Sequence, residues 1–137
     1  MKLITVMVIV LMMPFLALAG CTEEEGAFDV AITATSGSST ADGEGLCGYG
    51  DDEECHSIVV SIENSGTDDF STNMFNWEAV ASSGGVYKSP SVDGPDACAG
   101  GSTCSVTLNF DVTNGDTLTT IKWADFLHDL SASIPSY

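Results

Sequence analysis

The residues with the most chemistry in this chain lie between positions 42 and 55. Asp42, Glu44, Asp51, Asp52, Glu53 and Glu54 share one stretch with Gly43, Gly45, Gly48 and Gly50. Calcium takes roughly six to eight oxygen ligands, several of them charged, on a backbone able to bend around the ion. This stretch offers both, and a Cys47–Cys55 link would gather the acids. The spacing is not that of an EF-hand, and acids this dense repel one another. A solvated acidic loop is therefore the plainer reading and calcium the sharper one. His56 follows directly, placed to join Asp51 or Glu54 around a transition metal, although a histidine beside a strand is more often simply hydrated. Asp68-Asp69 reads as turn chemistry rather than a ligand pair.

Other chemistry is sparse. His56 and His128 are the only histidines. Ser57 adjoins His56, but strand neighbours face opposite ways, which defeats the contact that a nucleophile and its base require. No Gly-x-Ser-x-Gly, phosphate loop or paired-histidine metal motif occurs. The sequence therefore predicts a protein that is not an enzyme. Cys47, Cys55, Cys98 and Cys104 form an even set, and four cysteines allow three connectivities. Local pairing, Cys47–Cys55 and Cys98–Cys104, is favoured because each link would staple a glycine-rich loop, Gly48-Tyr49-Gly50 or Ala99-Gly100-Gly101. Zinc held by the four thiolates is the rival. The separations of eight and six residues miss the usual spacing of about two to four. Tyr49 in the acidic loop, Tyr87 near an edge strand and Tyr137, the last residue, are the aromatics that could mark a partner surface, Tyr49 the foremost of them.

The remaining cysteine has a different setting. Lys2 precedes an apolar run, Leu3 to Phe15, broken by Thr5 and Pro14, and Leu16-Ala17-Leu18-Ala19-Gly20 then leads to Cys21. This is the form of a signal peptide, and its end resembles the lipobox of bacterial and some archaeal lipoproteins. The resemblance implies cleavage after residue 20, lipid on the Cys21 thiol, and residence at the extracytoplasmic face of a membrane. The apolar run is short beside the roughly 20 residues of a spanning helix. The expected organisation is a signal peptide (1–20), the lipidated Cys21 with an acidic tether (21–26), and one domain (27–137). An exported domain meets oxidising conditions, where disulfides persist.

Charge narrows the partners. The whole chain carries a formal −17, and removing Lys2 with the signal leaves all 20 acids against Lys88 and Lys122, or −18. Nucleic acid is excluded, because its phosphates need a basic face. Charge-driven adhesion to anionic headgroups is excluded for the same reason. The membrane through the lipid, and a protein or small-molecule ligand of unknown identity, remain as partners. No cofactor is expected apart from the calcium weighed above.

The elements that must position these residues are strands. Phe28, Val30 and Ile32 alternate with polar or small neighbours, as do Ile58, Val60 and Ile62, then Phe75, Trp77 and Ala79, and most clearly Val106, Leu108, Phe110 and Val112. Period two over such runs marks half-buried strands. Gly84–Lys88 reads as a short extra strand and Ile121-Lys122-Trp123 as part of the last one. Ser36–Thr40 reads as a flexible loop, Thr113-Asn114-Gly115-Asp116 as a hairpin turn, and Ala124–Ser131 as one or two helical turns. Strands this short and numerous predict an all-β, antiparallel, immunoglobulin-like β-sandwich of six to eight strands with Trp77 in its core.

The order of these motifs resembles a family. Ile58–Gly66, Asp68-Asp69-Phe70-Ser71, Phe75-Asn76-Trp77-Glu78-Ala79, Gly84-Gly85-Val86-Tyr87, and Gly100-Gly101-Ser102 leading into Val106–Val112 are similar to the immunoglobulin-like extracellular domains of unknown function related to a mycobacterial immunoprotective antigen. The resemblance spans roughly residues 27–125. It implies a secreted or lipid-anchored sandwich and carries no functional residues. The four loop cysteines and the acidic Asp42–Glu54 stretch depart from it. We therefore expect a membrane-anchored, non-catalytic binding or protein-interaction module, with a calcium-binding structural domain as the alternative and a hydrolase behind both.

Overall fold

The computed structural model describes residues 26–40 and 47–137. The signal segment (1–20), Cys21, the tether up to residue 25, and Asp42 and Glu44 lie outside the described residues. Within them the strands are β1 (Val30–Thr40), β2 (Glu53–Asn64), β3 (Phe70–Ser71), β4 (Trp77–Ala81), β5 (Val86–Lys88), β6 (Ser91–Asp93), β7 (Ala97–Cys98), β8 (Thr103–Thr113), β9 (Leu118–Ala124) and β10 (Asp129–Ser133). A single 3₁₀ turn, Met74–Asn76, precedes β4.

Two four-stranded sheets, ordered β1-β2-β8-β6 and β10-β9-β4-β5, form the sandwich, and β3 with β7 makes a small ribbon. All pairings are antiparallel. The two sheets hold eight strands, the top of the expected range, and the ribbon is additional.

The alternation in the sequence is what fills the space between the sheets. Ile58, Val60 and Ile62 of β2 and Val106, Leu108, Phe110 and Val112 of β8 are buried from one side, and Trp77, Ala79, Ile121 and Trp123 from the other. Burial of each large apolar side chain contributes about 1.5–3 kcal/mol. Phe70 closes one end, its ring 4.4 Å from that of Trp123. Both indoles keep a polar partner, as buried tryptophan requires. Trp77 Nε1 donates to the Thr72 carbonyl at 3.2 Å and Trp123 Nε1 to the Ser71 carbonyl at 3.0 Å.

Four sequence expectations are corrected. Phe75 does not share the inner face of β4 with Trp77 and Ala79; it lies in the 3₁₀ turn before that strand and is exposed. Ser36–Thr40 is not a flexible loop. It continues β1 beyond a bulge between Ala34 and Ser36 and pairs with Cys55–Val59, so that the backbone groups on that edge of β2 have partners. The Thr113–Asp116 turn forms, with the Asp116 N–H donating to the Thr113 carbonyl at 3.0 Å, but it makes no hairpin. β8 already has β2 and β6 on its two edges, so the turn carries the chain across to β9 in the other sheet. A turn signal specifies reversal, not the pairing partner. Finally, Ala124–Ser131 is not helical. β10 pairs with β9, Leu130 opposite Trp123 and Ala132 opposite Ile121, and both pack against the core.

The register defines two ends of the sandwich. Val30 pairs with Asn64 at one end of β1, and Thr40 with Cys55 at the other. The chain enters the domain at the first end, beside the β9–β10 turn, where the Phe28 ring stacks on His128 with centroids 3.7 Å apart. Asp51–Glu54 and the β8–β9 turn lie at the second end, where the Asn114 N–H donates to the Asp52 carbonyl at 2.8 Å.

Candidate functional site

The second end gathers most of the residues singled out by their chemistry. Cys47 bonds to Cys55 at this end and Cys98 to Cys104 at the first, with sulfur–sulfur distances of 2.05 and 2.13 Å. The first link folds the Cys47–Gly50 segment onto β2 and β8. Gly48 sits at φ 78°, and a Cβ there would lie 2.6 Å from the Cys55 nitrogen, so no other residue fits without displacing backbone. Its N–H donates to the Asp111 carboxylate at 2.5 Å. Tyr49 is thereby held with 73% of its surface exposed.

Below this loop lies a cleft of about 310 Å³, lined by Tyr49, Met74, Tyr87, Lys88, Asn109 and Asp111 among others. Its floor includes Ser89-Pro90, where the chain crosses from β5 in one sheet to β6 in the other. Ser89 holds a left-handed φ of 54°, a conformation that costs a non-glycine residue energy and persists where the surroundings enforce it. The polar groups of the cleft are braced from behind. Asn109 Nδ2 donates to Asp93 at 3.1 Å, and its oxygen accepts from the Ser57 hydroxyl at 2.6 Å. Tyr87 donates its hydroxyl to Asp116 at 2.9 Å. The Ser83 hydroxyl beside Asp116, helped by Tyr87 and the Thr117 N–H, holds that carboxyl below the usual range.

Of the acidic run, Asp51–Glu54 are among the described residues, and their side chains do not gather into one cluster. Glu53 turns back toward Gly50 through its N–H, 3.1 Å from the Gly50 carbonyl, while Glu54 reaches the opposite way toward His56. Among the described residues, no group of three or more His, Cys, Asp and Glu side chains is placed to hold a metal ion. Asp68 and Asp69 lie at the other end, following the Asn64-Ser65-Gly66 turn; the Asp68 N–H donates to the Ala27 carbonyl at 3.1 Å.

His56 is buried in the sandwich rather than hydrated. Its Nδ1 lies 2.6 Å from the Tyr137 hydroxyl, which also accepts the Leu118 N–H at 3.1 Å. Glu54 Oε1 stands 3.1 Å from Nε2 but off the line of a hydrogen bond, leaving Nε2 without one. Tyr137 thus joins β2 of one sheet to β9 of the other. Burial, reinforced by the nearby charges of Glu54 and Asp116, raises its phenol above the usual range despite the Leu118 hydrogen bond. Ser57 points away from His56 to Asn109, as strand alternation requires.

His128 precedes the last strand rather than following it. It belongs to the β9–β10 turn, with Nδ1 3.2 Å from Asp125 Oδ1. Phe126 and Leu127 between them are 101% and 77% exposed. Sequence reasoning passed over this pair. The available signal was two adjacent apolar residues between Asp125 and His128, which alternation cannot bury together.

No protein-family model matches the chain, and no curated protein is significantly similar to it. Two solved structures are similar. The secreted protein MPT63 of Mycobacterium tuberculosis superposes with a TM-score of 0.57 at 15% identity, covering 79% of this chain and 85% of that one. An uncharacterised β-sandwich protein from Clostridium difficile 630 gives a TM-score of 0.40 at 9% identity over 78% and 82%. The first likeness establishes the sandwich fold in which the expected immunoglobulin-like architecture is realised.

Proposed function

We propose that this chain is a lipid-anchored, extracytoplasmic and non-catalytic binding module, tethered at one end and presenting the other to a protein or small-molecule ligand. The observation that carries the reading is the polarity of the domain. The chain enters at Gly26–Phe28, whereas Tyr49 and the stapled Cys47–Gly50 loop occupy the opposite end, with the cleft running from beneath them along the β5–β6 side. Cys21 lies only five residues before Gly26, so lipid on its thiol leaves that opposite end facing outward. The likeness to a secreted protein and the two disulfides support an oxidising location outside the cytoplasm.

Two measurements test the two halves of this reading. Intact mass of the protein extracted from membranes should show acyl chains on an N-terminal Cys21, and Cys21→Ser should move the domain to the soluble fraction. An unacylated chain would overturn the anchor. For the binding role, a photo-crosslinking amino acid at position 49 should give one saturable adduct in native membranes, competed by excess free domain. The same group at position 63, on the outer face of β2, should give none. Equal, non-competable labelling at both positions would count against a ligand-presenting end.

A further inference from the structure

The β9–β10 turn points to a second contact with the membrane. Phe126 is 101% exposed and Leu127 77% exposed, yet the turn carrying them is braced. Asp125 Oδ1 accepts the N–H groups of Leu127 at 2.8 Å and His128 at 2.7 Å, and the Asp125 N–H donates to the His128 carbonyl at 3.0 Å. The His128 ring lies flat on Phe28, 3.7 Å away at 10° between planes, and Phe28 in turn stacks on Trp123 at 6.0 Å. Two bare apolar side chains are therefore held out from the domain by a rigid mount, and the mount is built on the residue through which the chain enters. Phe28 is seven residues after Cys21, a distance of at most about 25 Å when fully extended. A lipid on Cys21 keeps this turn within that reach of the bilayer.

We propose that Phe126 and Leu127 insert into the headgroup–acyl boundary of the membrane that holds the Cys21 lipid, fixing the domain upright on its entry end. The inference rests on the anchoring reading above. A lipid surface fits better than a protein partner because two projecting side chains offer far less than the roughly 800 Å² per partner of a stable protein interface. Asp125 and Asp129 flank the pair, so the favoured surface is zwitterionic.

The test uses the full-length, lipid-modified protein in phosphatidylcholine vesicles, half of them made with bromine-labelled acyl chains. Phe126→Trp and Leu127→Trp each add an indole at the turn, and Tyr49→Trp adds one at the opposite end. Wild type, with its buried Trp77 and Trp123, supplies the background. The expected result is strong quenching of the added fluorescence at 126 and 127, with a blue shift, and none at 49. An acylated protein whose tryptophans at 126 and 127 stay unquenched overturns the insertion alone. Equal quenching at 49 overturns the upright seating. Mass spectrometry showing no acyl group on Cys21 overturns both this inference and the anchor.

Discussion

Tyr137 shows how one hydroxyl can tie two layers together. It serves His56 Nδ1 in one sheet and the Leu118 N–H in the other, and its ring covers Gly37 of β1. Tyr137→Phe removes the hydroxyl and leaves both partners unsatisfied, at about 1–3 kcal/mol. The pH dependence has a definite sign. Burial raises the phenol above its unfolded value, so the folded state favours the protonated form. Stability from this group is complete below about pH 10, the ordinary tyrosine value, and is lost as pH rises through the higher folded value. Urea unfolding between pH 7 and 11 should show a steeper alkaline decline in the wild type than in Tyr137→Phe; parallel curves would remove Tyr137 from the explanation. None of this was visible in the sequence. Nothing in the residues around His56 announces a partner 81 positions away, and the hydrated histidine expected from its neighbours is in fact buried.

At the scale of elements, strands were legible where alternation was strong and illegible where it was absent. Val106–Val112 alternates without interruption and forms the centre of β8. Ser36–Thr40 has no apolar residue to mark an inner face, yet it is strand because β2 presents an edge for it to pair with. Leu130 and Ala132 alternate over too short a run to outweigh a helical reading, and only β9 beside them decides the matter. The cysteines were more legible, since local pairing closes short loops. The Cys98–Cys104 link holds the ribbon strand β7 to the start of β8, and Cys98 is fully buried in the core cluster. Replacing both by serine should cost about 2–3 kcal/mol on the chain-entropy model for so short a loop, with an additional loss from placing a hydroxyl in an apolar site. Replacing Cys47 and Cys55 should cost a similar entropic term and should also release Tyr49. Denaturant midpoints of the two double variants against wild type test this order. A Cys98/Cys104 variant as stable as wild type would show that β7 is held by its other contacts.

For the whole molecule the governing quantity is charge. A formal −17 spread over 137 residues opposes compaction through self-repulsion. The screening length falls from about 30 Å at 0.01 M salt to about 3 Å at 1 M. The melting temperature should therefore rise with sodium chloride over that range. Calcium compared at matched ionic strength should add nothing further if the acidic run simply faces solvent. An extra rise that a chelator reverses would favour the calcium reading, with Asp42 and Glu44 joining Asp51–Glu54.

What the sequence determined by itself is whatever is local or additive. Alternation gives strands because side chains on a strand point to opposite faces. Net charge is a sum over residues and is the same whatever the fold. Short-loop cysteines pair with their neighbours. The tertiary structure alone decided what depends on distant segments meeting. It placed the β8–β9 turn between sheets, buried His56 against Tyr137 with Glu54 beside it, and set Phe28 under His128 so that Phe126 and Leu127 stand at the end where the chain enters. These are consequences of which strand edges were already occupied and which faces remained to be covered, and no window of neighbouring residues contains that information.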